Sequence, residues 1–90
     1  MIKHRFLEVA YRAGKPLAAY LYLPRQTGDK SCRTCQFEPG LLIDYRADGQ
    51  AIGIEITSPS RITLDSINRA LAVANQEPIT AADLIPLVAA

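Results

Sequence analysis

The chain has 90 residues, of which 49% are hydrophobic and 21% are charged, and its formal net charge is +1. This length supports one hydrophobic core, and the composition is that of a globular domain rather than a disordered or fibrous chain. No apolar run approaches the roughly 20 residues that span a bilayer, and the first residues lack the apolar stretch of a signal peptide, which predicts a cytoplasmic protein.

The charges are unevenly distributed along the chain. Residues 1–46 contain eight Lys or Arg and four acids. Residues 47–90 contain two Lys or Arg and five acids. Because nucleic-acid binding depends on clustered positive charge, the even overall balance argues against it. A basic surface formed by Arg5, Arg12, Lys15 and Arg25 remains the alternative. The positive first half and the negative second half of the chain can also contact each other within the fold, or attract a protein partner.

Two strands are predicted near the start of the chain. Apolar residues alternate along Phe6–Arg12 and again along Leu17–Leu23, and the turn residues Ala13–Pro16 lie between them. Both faces of the second strand are apolar or aromatic, which predicts a central position. We expect the sheet region to occupy residues 6–57 of one domain that covers residues 1–90, with a helical region at 58–90.

Two tyrosines, Tyr20 and Tyr22, share one face of the second strand, and Phe6 is close to them in the first. Aromatic side chains in such a row can receive a base or an aromatic ligand. They can equally cover the sheet beneath a helix, because aromatic residues bury a large area. We expect the second arrangement.

A third strand is predicted at Ser31–Phe37, and it contains Cys32 and Cys35. Their spacing is that of half a zinc site or of a redox dithiol, but the sequence has no second pair and His4 is its single histidine. Positions three apart in a strand point to opposite faces. We therefore expect structural or incidental cysteines and no cofactor, with a metal shared between two copies or a redox role as alternatives.

The clearest feature is a hairpin at Leu41–Thr57. Asp48-Gly49 between two alternating apolar runs predicts a two-residue type I′ turn, in which both central residues have positive φ. This register pairs the large apolar residues on one face, and a slip by one residue would bury unpaired carboxylates. The predicted pairs are Leu41 with Ile56, Ile43 with Ile54, and Tyr45 with Ile52.

The same register places Asp44, Arg46 and Glu55 on the opposite face, with Gly53 facing Asp44. A missing side chain at Gly53 permits close approach of another group or relieves strand twist. Paired carboxylates can act as acid and base or bind a cation. More often they form the wet face of an antiparallel sheet. We take this face as a possible interaction surface.

Helices are predicted after the sheet. Thr63 is a suitable N-cap for an amphipathic helix that ends near Asn75 and packs one face on the sheet. Thr80 with Asp83 predicts a short capped helix at residues 81–85, which Pro86 breaks or kinks. The tail at residues 84–88 is too apolar for a free end, so it docks on the domain or on another subunit. Leu84 and Leu87 are its candidate contact residues.

The segment Pro39–Ile56 resembles the small prokaryotic family known as domain of unknown function 2283. The shared features are a Pro-Gly turn, an apolar strand ending in Asp-Tyr, a turn closing on Asp-Gly, and Gly-Ile-Glu-Ile. Ala19–Leu23 is similar to an earlier strand of that family, so the resemblance covers about residues 6–60. Arg46 replaces an acid that is usual in the family, which weakens a cation-binding role.

The resemblance implies a fold and no assigned activity. It also implies, through genes that lie beside small predicted toxins, a possible antitoxin-like partner. We expect an α+β protein with an antiparallel meander of about five strands and one or two C-terminal helices on one face. Its expected function is a non-enzymatic protein-interaction module that can self-associate. A cation-binding protein or small enzyme using Asp44 and Glu55 is the alternative.

Overall fold

A five-stranded antiparallel sheet forms the centre of the fold. Residues 5–24 and 28–88 are described by this computed structural model. The strands are β1 (Phe6–Arg12), β2 (Lys15–Tyr22), β3 (Arg33–Glu38), β4 (Leu41–Tyr45) and β5 (Ala51–Ile56). The helical part comprises a 3-10 turn at Pro59–Arg61, helix α1 (Leu64–Val73), and a 3-10 turn at Ala81–Leu84 that continues as the short helix α2 (Ile85–Val88).

The strands lie in the order β1-β2-β5-β4-β3, and each neighbouring pair is antiparallel. The β1–β2 hairpin therefore joins the β3-β4-β5 meander through the β2–β5 pair. The connection from β2 to β3 leads from the middle of the sheet to its far edge. The predicted α+β fold and the predicted central position of the second strand are confirmed.

One face of the sheet carries the core. Alternate residues of β2, β4 and β5 point to this face, and α1 packs its apolar side against them. Burying one large aliphatic side chain contributes about 1.5–3 kcal/mol, so this layer dominates the stability. The largest fully buried side chains of the cluster are Leu23, Leu41, Ile54, Ile56, Ile67 and Leu71.

Helix α1 begins and ends at sequence signals. The Thr63 hydroxyl accepts the Ser66 backbone N–H, and the Ser66 hydroxyl accepts the Thr63 N–H, both at 3.0 Å. This reciprocal cap satisfies two donors that a helix start leaves unpaired. Asn75 has a φ of 58°, a left-handed conformation that stops a helix. The predicted cap and stop are confirmed.

The turn of the β4–β5 hairpin differs from the prediction. Gly49 donates to the Arg46 carbonyl and Arg46 donates to the Gln50 carbonyl, both at 2.9 Å, so the loop has three residues. Gly49 has a φ of 90°, whereas Asp48 is not among the residues with positive φ. The predicted type I′ turn is therefore wrong. The Asp48 carboxylate accepts the Gln50 N–H at 2.9 Å, which stabilises the longer loop.

The longer loop shifts the register at the end of the hairpin. Two predicted pairs are confirmed, Leu41 with Ile56 and Ile43 with Ile54. A bulge follows Asp44, so Tyr45 faces Ala51 rather than Ile52, and the predicted third pair is wrong. Ile52 is 1% exposed but is not part of the main core cluster.

The C-terminal segment lies on the chain's own sheet. Leu84 and Leu87 are buried in the core cluster, so the apolar tail docks on the domain itself. The Asp83 carboxylate accepts the Thr80 N–H at 2.9 Å, as the predicted cap requires. Pro86 does not end the helical segment, because it lies in the first turn of α2, where a proline needs no donor.

No helix among residues 5–24 and 28–88 is long and apolar enough to cross a membrane.

The β1–β2 turn contains a residue whose backbone conformation is expected to lower the stability. Ala13 and Gly14 have φ values of 51° and 78°, the type I′ pattern, and a left-handed conformation is unfavourable for alanine. Asn tolerates this region better, so Ala13→Asn is expected to raise the free energy of unfolding by about 0.5–1 kcal/mol. Urea denaturation measures the change. Ala47→Asn, at an exposed turn position without positive φ, is the control, and an equal gain there would contradict the explanation.

Candidate functional site

The face of the sheet opposite α1 carries two rows of residues, which we call the outward face. The register of all five strands defines both rows. None of their ten residues is Lys or Arg, so the rows carry only acidic charge. The first row is Phe6, Tyr22, Gly53, Asp44 and Thr34, and the second is Glu8, Tyr20, Glu55, Leu42 and Gln36.

Tyr20 crosses from the second row to the first. Its hydroxyl donates to the Asp44 carboxylate at 2.7 Å. The ring occupies the space above Gly53, where an added Cβ atom would overlap Tyr20. The Thr34 hydroxyl donates to the other Asp44 oxygen. Asp44 is only 5% exposed, so these two hydroxyls replace water around a buried carboxylate.

Glu55 lies half-buried beside this group. Burial raises its pKa, and a hydrogen bond with Asp44 and the charge of Asp44 raise it further. Glu55 therefore keeps its proton to a higher pH than an exposed glutamate does. An arrangement of this kind can hold a proton or exchange it with a bound group.

Three aromatic rings form a continuous row on the outward face. Phe6 and Tyr22 stack with ring centroids 4.3 Å apart and planes 13° from parallel. Tyr22 and Tyr20 follow at 4.7 Å, with planes tilted by 53°. The prediction that these rings lie beneath a helix is wrong, because α1 packs on the other face. Phe6 is 47% exposed, so one end of the row faces solvent.

A shallow depression of about 340 Å³ lies beside the rings, between β1 and β2. Glu8, Tyr20 and the small residues Ala10 and Ala18 are among the residues that line it. Glu8 is exposed, and the Tyr22 hydroxyl lies 3.4 Å from its carboxylate. The depression thus combines a carboxylate, an aromatic ring and small apolar side chains.

The structure brings together three of the predicted site residues and separates the others. Asp44, Gly53 and Glu55 are adjacent on the outward face. Arg46 lies beyond the bulge and is not with them. It pairs with Asp29 and Asp48 instead, each at 2.8 Å. The hydrogen bond to Asp48, followed by that to Asp29, raises the pKa of Arg46.

Other predicted contact residues are not available on the surface. Leu84 and Leu87 are buried in the protein's own core, so they present no exposed contact surface in this fold. Asp44 and Gly53 are also covered, by Tyr20 and Thr34. The exposed part of the outward face is therefore formed by Phe6, Glu8 and their neighbours. The sequence offered the aromatic row only as the less expected alternative, and it did not indicate Glu8 as a contact residue.

The cysteines do not form a site within the described chain. Cys32 and Cys35 are both free and exposed. Within residues 5–24 and 28–88, no cluster of three or more His, Cys, Asp or Glu side chains is placed to hold a metal ion. His4 and Arg25 lie outside the described residues.

Comparison of the chain with family models, with curated proteins and with solved structures finds no significant match. The resemblance to domain of unknown function 2283 therefore stays a prediction.

The contact between Tyr20 and Gly53 can be tested by a double-mutant cycle. Gly53→Ala is expected to lower the free energy of unfolding by about 1–3 kcal/mol, because the added methyl group displaces the Tyr20 ring. In a Tyr20→Ala background the same change should become neutral or slightly stabilising, because Ala is more favourable than Gly in a strand. Denaturation of the four proteins measures the coupling. Equal losses in both backgrounds would show that Tyr20 does not occupy this space.

The carboxyl pair predicts a pH dependence. Because the folded state raises the pKa of Glu55, its contribution to stability is complete below the ordinary pKa of glutamate. This contribution is lost as the pH rises through the raised value. Glu55→Gln keeps a donor for Asp44 without the charge, so it should flatten this decline and stabilise the protein at neutral pH by about 0.5–1 kcal/mol.

The measurement is the midpoint of thermal unfolding across the acidic and neutral range. Glu77→Gln, which removes one carboxyl group at an exposed position, is the matched control for net charge. Parallel pH profiles of the wild type and the Glu55→Gln variant would contradict the raised pKa of Glu55.

Proposed function

We propose that this chain is a non-enzymatic interaction module whose outward face binds a lysine- or arginine-bearing segment of a partner protein. The observation that carries the proposal is the depression formed by Glu8, Tyr20, Ala10 and Ala18. A Lys or Arg side chain has an aliphatic stem and a charged head. The stem can pack on the two alanines, and the head can reach the Glu8 carboxylate and the face of an aromatic ring.

The surroundings of the depression support a cationic partner. Glu8 and Glu55 flank Tyr20 across β1, β2 and β5. The two rows of the outward face contain no basic side chain that would compete for these groups. A phosphate backbone would meet negative charge on this face, which disfavours nucleic acid. Phe6 and Tyr22 extend the surface with the kind of rings that are enriched in protein interfaces.

The antitoxin-like role implied by the family resemblance is one case of this proposal, since an antitoxin of this kind acts by binding a protein. The resemblance alone suggests it, and nothing on the outward face selects a toxin over another basic partner. Co-purification from the native host would name the partner. A basic surface on that partner is what the proposal requires.

A second candidate is cation binding or acid–base chemistry by Asp44 and Glu55. The raised pKa of Glu55 beside Asp44 favours it. The hydroxyls of Tyr20 and Thr34 already donate hydrogen bonds to the two carboxylate oxygens of Asp44, which weighs against direct contact with a ligand. Calorimetric titration with Mg²⁺, Ca²⁺ and Mn²⁺ separates the two candidates. Binding heat that is present in the wild type and absent in Asp44→Asn would support the cation-binding candidate. The absence of heat in the wild type would reject it.

Binding to the outward face can be measured with designed peptides. The probe is a fluorescein-labelled Gly-Ser peptide that carries three spaced arginines, and its comparison peptide carries glutamines. We expect the arginine peptide to bind more tightly in fluorescence anisotropy. Glu8→Gln should weaken it by about fivefold to tenfold, because one charge-assisted hydrogen bond is removed. Phe6→Ala should weaken it as well, because part of the ring row is lost.

Glu77→Gln changes the net charge equally at an exposed position outside the outward face. It is expected to leave the dissociation constant unchanged at moderate salt, where distant charges are screened. Equal weakening by Glu8→Gln and Glu77→Gln would mean that only net charge attracts the peptide. No binding by wild type at low salt would reject the proposed function.

A further inference from the structure

The two edges of the sheet are protected differently. The C-terminal segment is tied along β1 at both ends of the strand. Arg5 donates to the carbonyls of Glu77 and Pro78, and the Tyr11 hydroxyl donates to the Pro86 carbonyl at 2.8 Å. Within the described chain, β3 pairs on one side only, with β4. An edge with unpaired N–H and C=O groups is a template for another strand.

The residues of β3 suit pairing with a second copy of the same strand. Its first four residues, 33–36, are all exposed. Lys30 and Arg33 lie at one end, and Glu38, which contacts Arg69 at 3.0 Å, lies at the other. Antiparallel alignment of two copies brings the basic end of each strand beside the acidic end of the other. Such complementarity favours the antiparallel over the parallel alignment of the two strands.

We infer that two copies of this chain associate by antiparallel pairing of their β3 strands, which makes one continuous sheet. Opposite residues of an antiparallel pair lie on the same face, so a symmetric pair has one residue opposite its own copy. In the register centred on Cys35, Arg33 faces Phe37 of the second copy and Thr34 faces Gln36. No like charges meet in this register. The bulge between Gln36 and Glu38 ends the regular pairing near Phe37.

The test places identical charges on the symmetry axis. Cys35→Lys sets two ammonium groups opposite each other, and like charges directly across a strand pair repel. Sedimentation under reducing conditions is expected to show a concentration-dependent dimer for the wild type. In Cys35→Lys the dissociation constant should rise by about tenfold or more. Cys32→Lys adds the same charge at an exposed position off the axis and should weaken association much less.

Cross-linking provides a second readout. A short bismaleimide should join Cys32→Ser, which retains Cys35, into a covalent dimer faster than it joins Cys35→Ser, which retains Cys32. Circular dichroism confirms that each variant is folded.

The inference is overturned if the wild type is a monomer at all concentrations, or if Cys35→Lys associates as well as Cys32→Lys. Equal cross-linking rates would overturn the register. Because β3 is the contact, Glu8→Gln should leave association unchanged.

Discussion

The absence of a side chain at Gly53 is the constraint on which the outward face depends. It lets the Tyr20 ring lie across β5 and donate to Asp44 of β4. The contact joins three neighbouring strands, and it lies where the β1–β2 hairpin meets the β3-β4-β5 meander. A buried carboxylate without donors would be strongly destabilising, so the fold holds Asp44 only while Tyr20 and Thr34 keep their positions.

The two faces of the sheet are stabilised by different physics. The α1 face is a continuous aliphatic layer, and its stability comes from the area removed from water. The outward face has no helix over it in the described chain and relies on ring stacking and hydroxyl–carboxylate bonds. Hydrogen bonds of this kind require defined geometry, whereas aliphatic packing tolerates small shifts. This ordered polar and aromatic surface on an uncovered face is the feature on which the proposed partner binding rests.

Most of the fold follows from local patterns, and the site follows from strand order. Period-two alternation places the strands, and Thr63 and Asn75 place the limits of α1. The three-residue turn could not be predicted, because it depends on Asp48 side-chain bonds that compete with the two-residue alternative by a small free energy. The parity of Asp44 and Gly53 was predictable. Their contact with Tyr20 was not, since it requires β2 beside β5, whose paired residues are 31 to 37 positions apart in the sequence.

The proposed partner surface and the proposed self-association reinforce each other. A two-fold axis perpendicular to a sheet keeps the same face of both copies on one side. Two chains joined at β3 would therefore present two outward faces side by side, each with its own Glu8 and ring row. A partner with two basic segments would then bind the second face at high effective concentration, which raises the overall affinity without any new contact. Pairing at the open β3 edge would thus strengthen the proposed recognition by the face beside it.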